Sequence, residues 1–306
     1  TDTINKGLVK GHYAEIYRNL KTQKDSMMIT KRAVAITLVE NDSMYVHGKK
    51  MIVTGKPGER IVRAFNNVRF YKTDMSGKCD SIHSDQKTGL TKLIKNPILW
   101  NYENQMTGDV MHLIGNNKTE KLDSLKVLNN AFIVSKDTLG TGYNQVKGQN
   151  LYGKFEDNKL REVDIIKNTE VIYYMRNDQQ ELIGINKSVS SKINMVLDKN
   201  TIETITNYNQ IDGDIYPEKD LPENARKLRG FIWRGDERIK SKDDIFPPEE
   251  NELDAKIQAE RKAEMDQDNK PLLPSKETLD YDKNNPSPKA KADKKEKENG
   301  AKPKVQ

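Results

Sequence analysis

Asn66-Asn67-Val68-Arg69-Phe70 is a short apolar burst behind a polar pair, and its shape returns along the chain. Asn96-Pro97-Ile98-Leu99-Trp100 and Asn129-Asn130-Ala131-Phe132-Ile133 resemble it, and Val34-Ala35-Ile36-Thr37-Leu38 alternates in the same way. Alignment on the apolar residues makes Val34, Val68, Ile98 and Ala131 equivalent, with Ile36, Phe70, Trp100 and Ile133 two residues later. A fifth copy starts at Asn168, with Ile172 in the second slot and Glu170 in the first. Alternation at period two is the signature of a strand with one buried face. After each burst come a polar turn and a glycine-marked strand: Val46-His47-Gly48, Ser76-Gly77-Lys78, Thr107-Gly108-Asp109, Lys147-Gly148-Gln149 and Ile183-Gly184-Ile185.

Five loose copies of one strand–turn–strand unit predict an all-β protein of stacked antiparallel strands. One such unit cannot bury its own apolar face, whereas a stack extends a continuous apolar floor. Repeats of about 30–39 residues over 1–246 are therefore expected to form a rolled sheet, with alternate strand residues inside and a polar exterior. The slots Val34, Ile36, Val68, Phe70, Ile98, Trp100, Ala131, Ile133 and Ile172 are expected to line that floor.

Composition agrees with a thin fold. The 306 residues hold 52 Lys+Arg and 46 Asp+Glu, a net charge of +6; 32% are charged and 34% hydrophobic. The apolar share is low for a thick-cored globule. No apolar run approaches the length of a membrane-spanning helix. Thr1–Lys10 shows no secretion signal, and the expectation is a mature chain from which it has been removed or a truncated one. The single cysteine, Cys79, excludes an internal disulfide framework and the usual cysteine metal sites. Composition breaks near residue 247. Residues 247–306 carry seven of the eleven prolines and Tyr281 as their one aromatic. That region reads as a charged tail, helical over 249–266 and disordered beyond.

At several of these stretches the sequence resembles a known family. Asn96–Trp100 with Thr107-Gly108-Asp109, Asn130–Ile133 with Gly142–Gly148, Glu181–Ser188 and Leu228–Asp236 are similar to the OstA-like family of periplasmic lipopolysaccharide-transport proteins, of the Bacteroidetes type. The resemblance spans about residues 10–246. It implies a β-jellyroll or β-taco, two facing antiparallel sheets open along one side, in the periplasm and associated with the outer membrane. It implies lipopolysaccharide, through lipid A, as ligand, and end-to-end strand pairing with other jellyroll-type transport proteins as the way a bridge is built. The family has no catalytic residues to carry over, so neither an enzyme nor a cofactor is expected. Lys49, Lys50, Arg69, Lys92 and Lys95 are candidates to meet lipid phosphates at the groove rim.

Other readings stay open from the residues alone: a structural or adhesive β-solenoid with a closed core, or a polysaccharide-active β-helix enzyme with clustered carboxylates. Interleaved charges and the absence of a recognition helix or aromatic platform argue against nucleic acid. His12, His47, His83 and His112 lack short ligand spacings, so no metal site is expected.

Overall fold

In a computed structural model the chain is an all-β protein with one C-terminal helix. The structure describes residues 7–268 apart from 23, 40–41, 57, 117–118, 120, 158 and 199–200. The expected disordered tail beyond 268 lies outside the described residues. Contacts divide the chain into a unit ending at Asn251 and a second beginning at Glu252.

The strands are β1 (Gly7–Lys10), β2 (Tyr13–Asn19), β3 (Lys24–Val39), β4 (Asp42–Gly55), β5 (Ile61–Lys72), β6 (Met75–Asp85), β7 (Leu90–Ile94), β8 (Ile98–Asn101), β9 (Asn104–Thr107), β10 (Val110–Asn116), β11 (Lys121–Lys136), β12 (Tyr143–Glu156), β13 (Lys159–Arg176), β14 (Leu182–Asp198), β15 (Thr201–Tyr208) and β16 (Asp212–Tyr216). A helix, α1, runs from Pro248 to Asp268. Every pairing is antiparallel and joins all sixteen strands in one sheet.

That sheet is creased. Lys31-Arg32, Asn66-Asn67, Lys95-Asn96, Asn129-Asn130, Lys167-Asn168 and Asn209-Gln210 each place two successive residues at φ between 49° and 66°. Asparagine tolerates the left-handed region better than most side chains, and it fills seven of these twelve positions. A left-handed pair inside a strand turns the chain and breaks the ladder. The register accordingly shifts between Thr30 and Ala33, Phe65 and Val68, Leu128 and Ala131, and Ile166 and Thr169. Eight strands cross the crease unbroken (β3–β6 and β11–β14), and the other eight meet there in four pairs.

The crease divides the sheet into two walls. The first runs β2-β3-β4-β5-β6-β7-β10-β11-β12-β13-β14-β15, and the second β1-β3-β4-β5-β6-β8-β9-β11-β12-β13-β14-β16. Their inward residues form a single core. Ile29, Met51, Ala64, Ile82, Leu93, Met111, Val127, Leu151, Ile165 and Ile193 make one file across the first wall. Ala35, Val46, Phe70, Gly77, Leu99, Met106, Ile133, Val146 and Val171 make the facing file on the second. Gly77 is required in that file. A Cβ there would strike the Phe70 ring and come within 2.6 Å of the Ile98 carbonyl oxygen.

After β16 the chain returns as a strap, residues 217–247, over the outward face of the second wall. Leu221 and Leu228 are buried against Phe132, Val134, Ile172, Tyr174 and Ile185. Farther on, Ile239 and Ile245 are buried against Val34, with Ile36, Tyr45, Tyr71 and Phe246 around them. The strap thus runs from the last strands of the wall back to the first, and the second wall is buried on both faces. The segment from Leu221 to Leu228 thus lies on this face rather than at an end of the roll. Two buried leucines gain more by covering apolar side chains than by sitting at an open edge.

Candidate functional site

Backbone ladder bonds run within each wall. Away from the crease, the two walls meet through apolar side chains. The inner files are buried apart from the half-buried Val46, whereas farther from the crease the core is mixed, with Leu160 and Leu197 buried and others not. Met27, Val62, Leu122, Phe155, Ile202 and Ile205 on the first wall, and Met44 and Tyr173 on the second, are half-buried against it. This edge, opposite the crease, is the mouth of the folded sheet. Parting the walls there exposes apolar surface but breaks no strand pairing, so a slender apolar ligand could replace the lost contacts.

The nine expected floor residues are all placed in the second wall, but not on one face. Val68, Phe70, Ala131 and Ile133 point inward and belong to the shared core. Val34 and Ile172 point outward under the strap, with Ile36 beside Val34. Ile98 and Trp100 share that outward parity, since Trp100 pairs Ser76 and Gln105 while Leu99 holds the inward position. The left-handed pairs give the correct alignment. Ala33, Val68, Pro97 and Ala131 are the first residues after Lys31-Arg32, Asn66-Asn67, Lys95-Asn96 and Asn129-Asn130. Against these corners the first, third and fifth copies are slipped by one residue, since Thr169 rather than Glu170 follows Lys167-Asn168, and one residue reverses the face of everything downstream.

The five basic rim candidates do not border the mouth. Lys49 and Lys95 are at the crease, on the closed side. Lys50 and Lys92 alternate with the inward Met51 and Leu93 and so face outward from the first wall. Arg69 faces outward from the second, where Nη1 donates to the Asp244 carbonyl oxygen at 3.5 Å.

Sequence reasoning missed the residues that hold the strap. Gln145 is fully buried; its Nε2 donates to the Arg226 carbonyl at 2.8 Å and its Oε1 accepts from the Leu228 N–H at 2.8 Å. Gln105 repeats the device, with Nε2 to the Ile232 carbonyl and the Arg234 N–H to Oε1, both 2.7 Å. Each side-chain amide thus offers one donor and one acceptor to alternate residues of the strap, as a neighbouring strand would. Both glutamines pair opposite Val134, so the clamps stand in one row across β9, β11 and β12. Their signal in the sequence was a buried-parity amide among apolar neighbours, whose partners lie 81 and 127 residues away.

Ion pairs secure the remaining length of the strap. Glu237 meets Arg234 at 2.6 Å and Lys78 at 3.2 Å. Hydrogen bonding from Arg234, with help from Lys78, holds the Glu237 carboxyl down at about 2 against an ordinary 4.5. A carboxyl lowered on folding stabilises above its unfolded value and loses that contribution as it protonates. Strap anchoring around Glu237 is therefore expected to weaken as pH falls from 4.5 toward 2. The protection of the Arg234 and Arg238 amides, as exchange relative to the intrinsic rate at each pH, should fall over that window, and Glu237→Gln should remove that fall.

A groove of about 1110 Å³ lies between the crease and the strap, lined by Ile98, Asn129, Asn130, Phe132, Arg229 and Arg234 among others. Its charged groups are largely matched: Lys147 meets Glu170 at 2.8 Å, and Asn130 donates to Asp109 at 3.1 Å. Cys79 is buried, and burial pushes its thiol up to about 12, which marks a packing residue rather than a nucleophile.

No protein-family model matches the chain, and no curated protein matches it by sequence. Among solved structures, the chain is similar to LptH from Pseudomonas aeruginosa, described as the LptA homologous periplasmic component of the conserved lipopolysaccharide transport device. That similarity covers 47% of this chain and 99% of that one, at 14% identity and a TM-score of 0.35. So loose an overlap says nothing about what this chain binds.

Proposed function

We propose that the protein is a non-enzymatic periplasmic carrier that holds the acyl chains of lipopolysaccharide between its two walls and passes them to a neighbouring module. The observation that carries this reading is the continuous apolar interior, bordered at the mouth by half-buried Met27, Val62, Phe155 and Tyr173. The sequence resemblance to the OstA-like family points the same way.

The energetics set the mechanism. Moving a chain of about twelve carbons from water into an apolar site gains on the order of 10 kcal/mol, at roughly 0.8 kcal/mol per methylene. Release into water is then too slow to be useful, and transfer needs an adjacent site of equal polarity. Twelve passes of similar inward chemistry supply such sites along the interior. The edge strands at either end, β1 and β2 or β15 and β16, leave backbone groups free to pair with another rolled sheet.

Photocrosslinking amino acids at Val62, Phe155 and Tyr173 should capture lipopolysaccharide in cells, whereas the same groups at Trp100 and Ile172, beneath the strap, should not. Capture confined to the outward positions, or none at the mouth, would sink the reading.

A further inference from the structure

The two walls differ on their outward faces. The second is covered by the strap, while the first carries no such cover among the described residues. Across the middle of this bare face, Arg63, His83, Lys92, His112 and Lys126 stand directly opposite one another on five neighbouring strands, β5, β6, β7, β10 and β11. Arg63, Lys92 and Lys126 alternate with the two histidines, so the fixed cations stand on every other strand, and like charges come directly opposite one another only when the histidines protonate. Among the described residues, Arg63, Lys92 and Lys126 have no ion pair; Arg63 Nη1 donates only to the Thr54 hydroxyl at 3.4 Å. Farther along the same face the charges are matched, Lys154 with Glu162 at 2.6 Å and Lys192 with Asp164 at 2.9 Å.

The row has apolar neighbours on both sides. Toward the crease lie Phe65, Ile94, Val110 and Leu128, interrupted by Ser81 between Phe65 and Ile94, with Ile94 39% exposed. Toward the mouth lie Ile61, Leu90 and Ile114, interrupted by Asp85 and Ser124. Cations alternating with histidines, flanked on both sides by largely apolar files, are a pattern in two dimensions. A linear polyanion would satisfy its middle alone. An anionic bilayer offers phosphates and apolar carbon together over an area, at strand spacings of about 4.8 Å across a row roughly 19 Å long.

We propose that the outward face of the first wall is a docking surface for an anionic lipid bilayer, with the row from Arg63 to Lys126 meeting lipid phosphates. The inference goes beyond the carrier reading and does not depend on it, because this face is separate from the interior.

The two histidines make the docking sensitive to acid. His83 faces Arg63 and Lys92 across the strands and has Asp85 on its own strand; His112 faces Lys92 and Lys126. Burial first, and then these cations, hold both imidazoles below the ordinary histidine value. They are neutral at pH 7 and add charge to the row only on acidification.

Co-sedimentation of the full chain with vesicles tests the proposal. Binding is expected to vesicles of phosphatidylcholine with phosphatidylglycerol and not to phosphatidylcholine alone, and to strengthen as pH falls. Lys92→Glu with Lys126→Glu should weaken it at least about tenfold, whereas Lys49→Glu with Lys95→Glu, an equal charge change at the crease, should leave it within about twofold. His83→Gln with His112→Gln should abolish the acid enhancement. Equal losses from the row and crease variants would reduce the effect to net charge and overturn the proposal. So would binding of linear polyphosphate, dependent on the row, without binding of anionic vesicles, since the occupant would then be a linear polyanion.

Discussion

Gln145→Leu is expected to release the middle of the strap. The substitution keeps the apolar volume but removes the acceptor of the Leu228 N–H and the donor to the Arg226 carbonyl, both covered by the strap itself. Leaving a buried backbone group unpaired costs about 1–3 kcal/mol, so the pair costs about 2–6 kcal/mol if the strap stays in place. Local detachment limits that loss, and the strap is then expected to open while the walls remain paired. Trypsin should cut at Arg226, Lys227 or Arg229 many times faster than in the unchanged protein, and the Leu228 amide should lose its exchange protection. Gln105→Leu should do the same to the Arg234 amide. Unchanged trypsin resistance in both variants would mean that the apolar contacts of Leu221 and Leu228 hold the strap without the clamps.

The second large effect is expected at Phe70. Its side chain is wholly buried, lies in the inner file, and faces the backbone of Gly77, where no side chain can fill the space it leaves. Truncating a buried phenylalanine typically costs about 3–5 kcal/mol, and Phe70→Ala is expected in that range because the neighbouring glycine cannot collapse into the cavity. Urea denaturation should show a lowered midpoint with little change in slope. Ile16→Ala, on the edge strand β2 and 61% exposed, should change stability by less than about 0.5 kcal/mol and serves as the comparison. A loss at Phe70 no larger than at Ile16 would contradict a shared interior between the walls.

How far these residues were legible in advance depends on how local their determinants are. The alternation in Val68-Arg69-Phe70 and Ala131-Phe132-Ile133 is local, and both bursts face the interior as expected. The polar pairs Asn66-Asn67 and Asn129-Asn130 were visible as punctuation, and they are the corners of the crease. Lys31-Arg32 and Lys95-Asn96 adopt the same corner without two asparagines to announce it, which is why Val34 and Ile98 were given the wrong parity. The first-wall file from Ile29 to Ile193 is less legible because its segments precede the asparagine pairs and lack that leading punctuation, although they alternate just as well.

The basic row shows the other limit. Arg63, His83, Lys92, His112 and Lys126 have no common spacing in the chain, and Lys92 was expected at a groove rim with Lys95, three residues away. Only strand pairing sets His83 and His112 on either side of Lys92. The strap is harder still to foresee. Residues 217–247 lack alternation and contain three short 3-10 turns, so nothing nearby in sequence says which surface they will cover.

What the amino-acid sequence determined alone was the class of fold: period-two alternation makes strands, repetition makes them stack, and a modest apolar fraction keeps the sheet thin. The tertiary structure decided which parity is inside, which face is covered and which cations become neighbours. Alternation is a property of one strand, but the face each parity meets is set where the chain crosses the crease and by distant partners, as with Arg69 and Asp244, 175 residues apart. A one-residue difference in that crossing exchanges interior for exterior, and no local pattern carries that information.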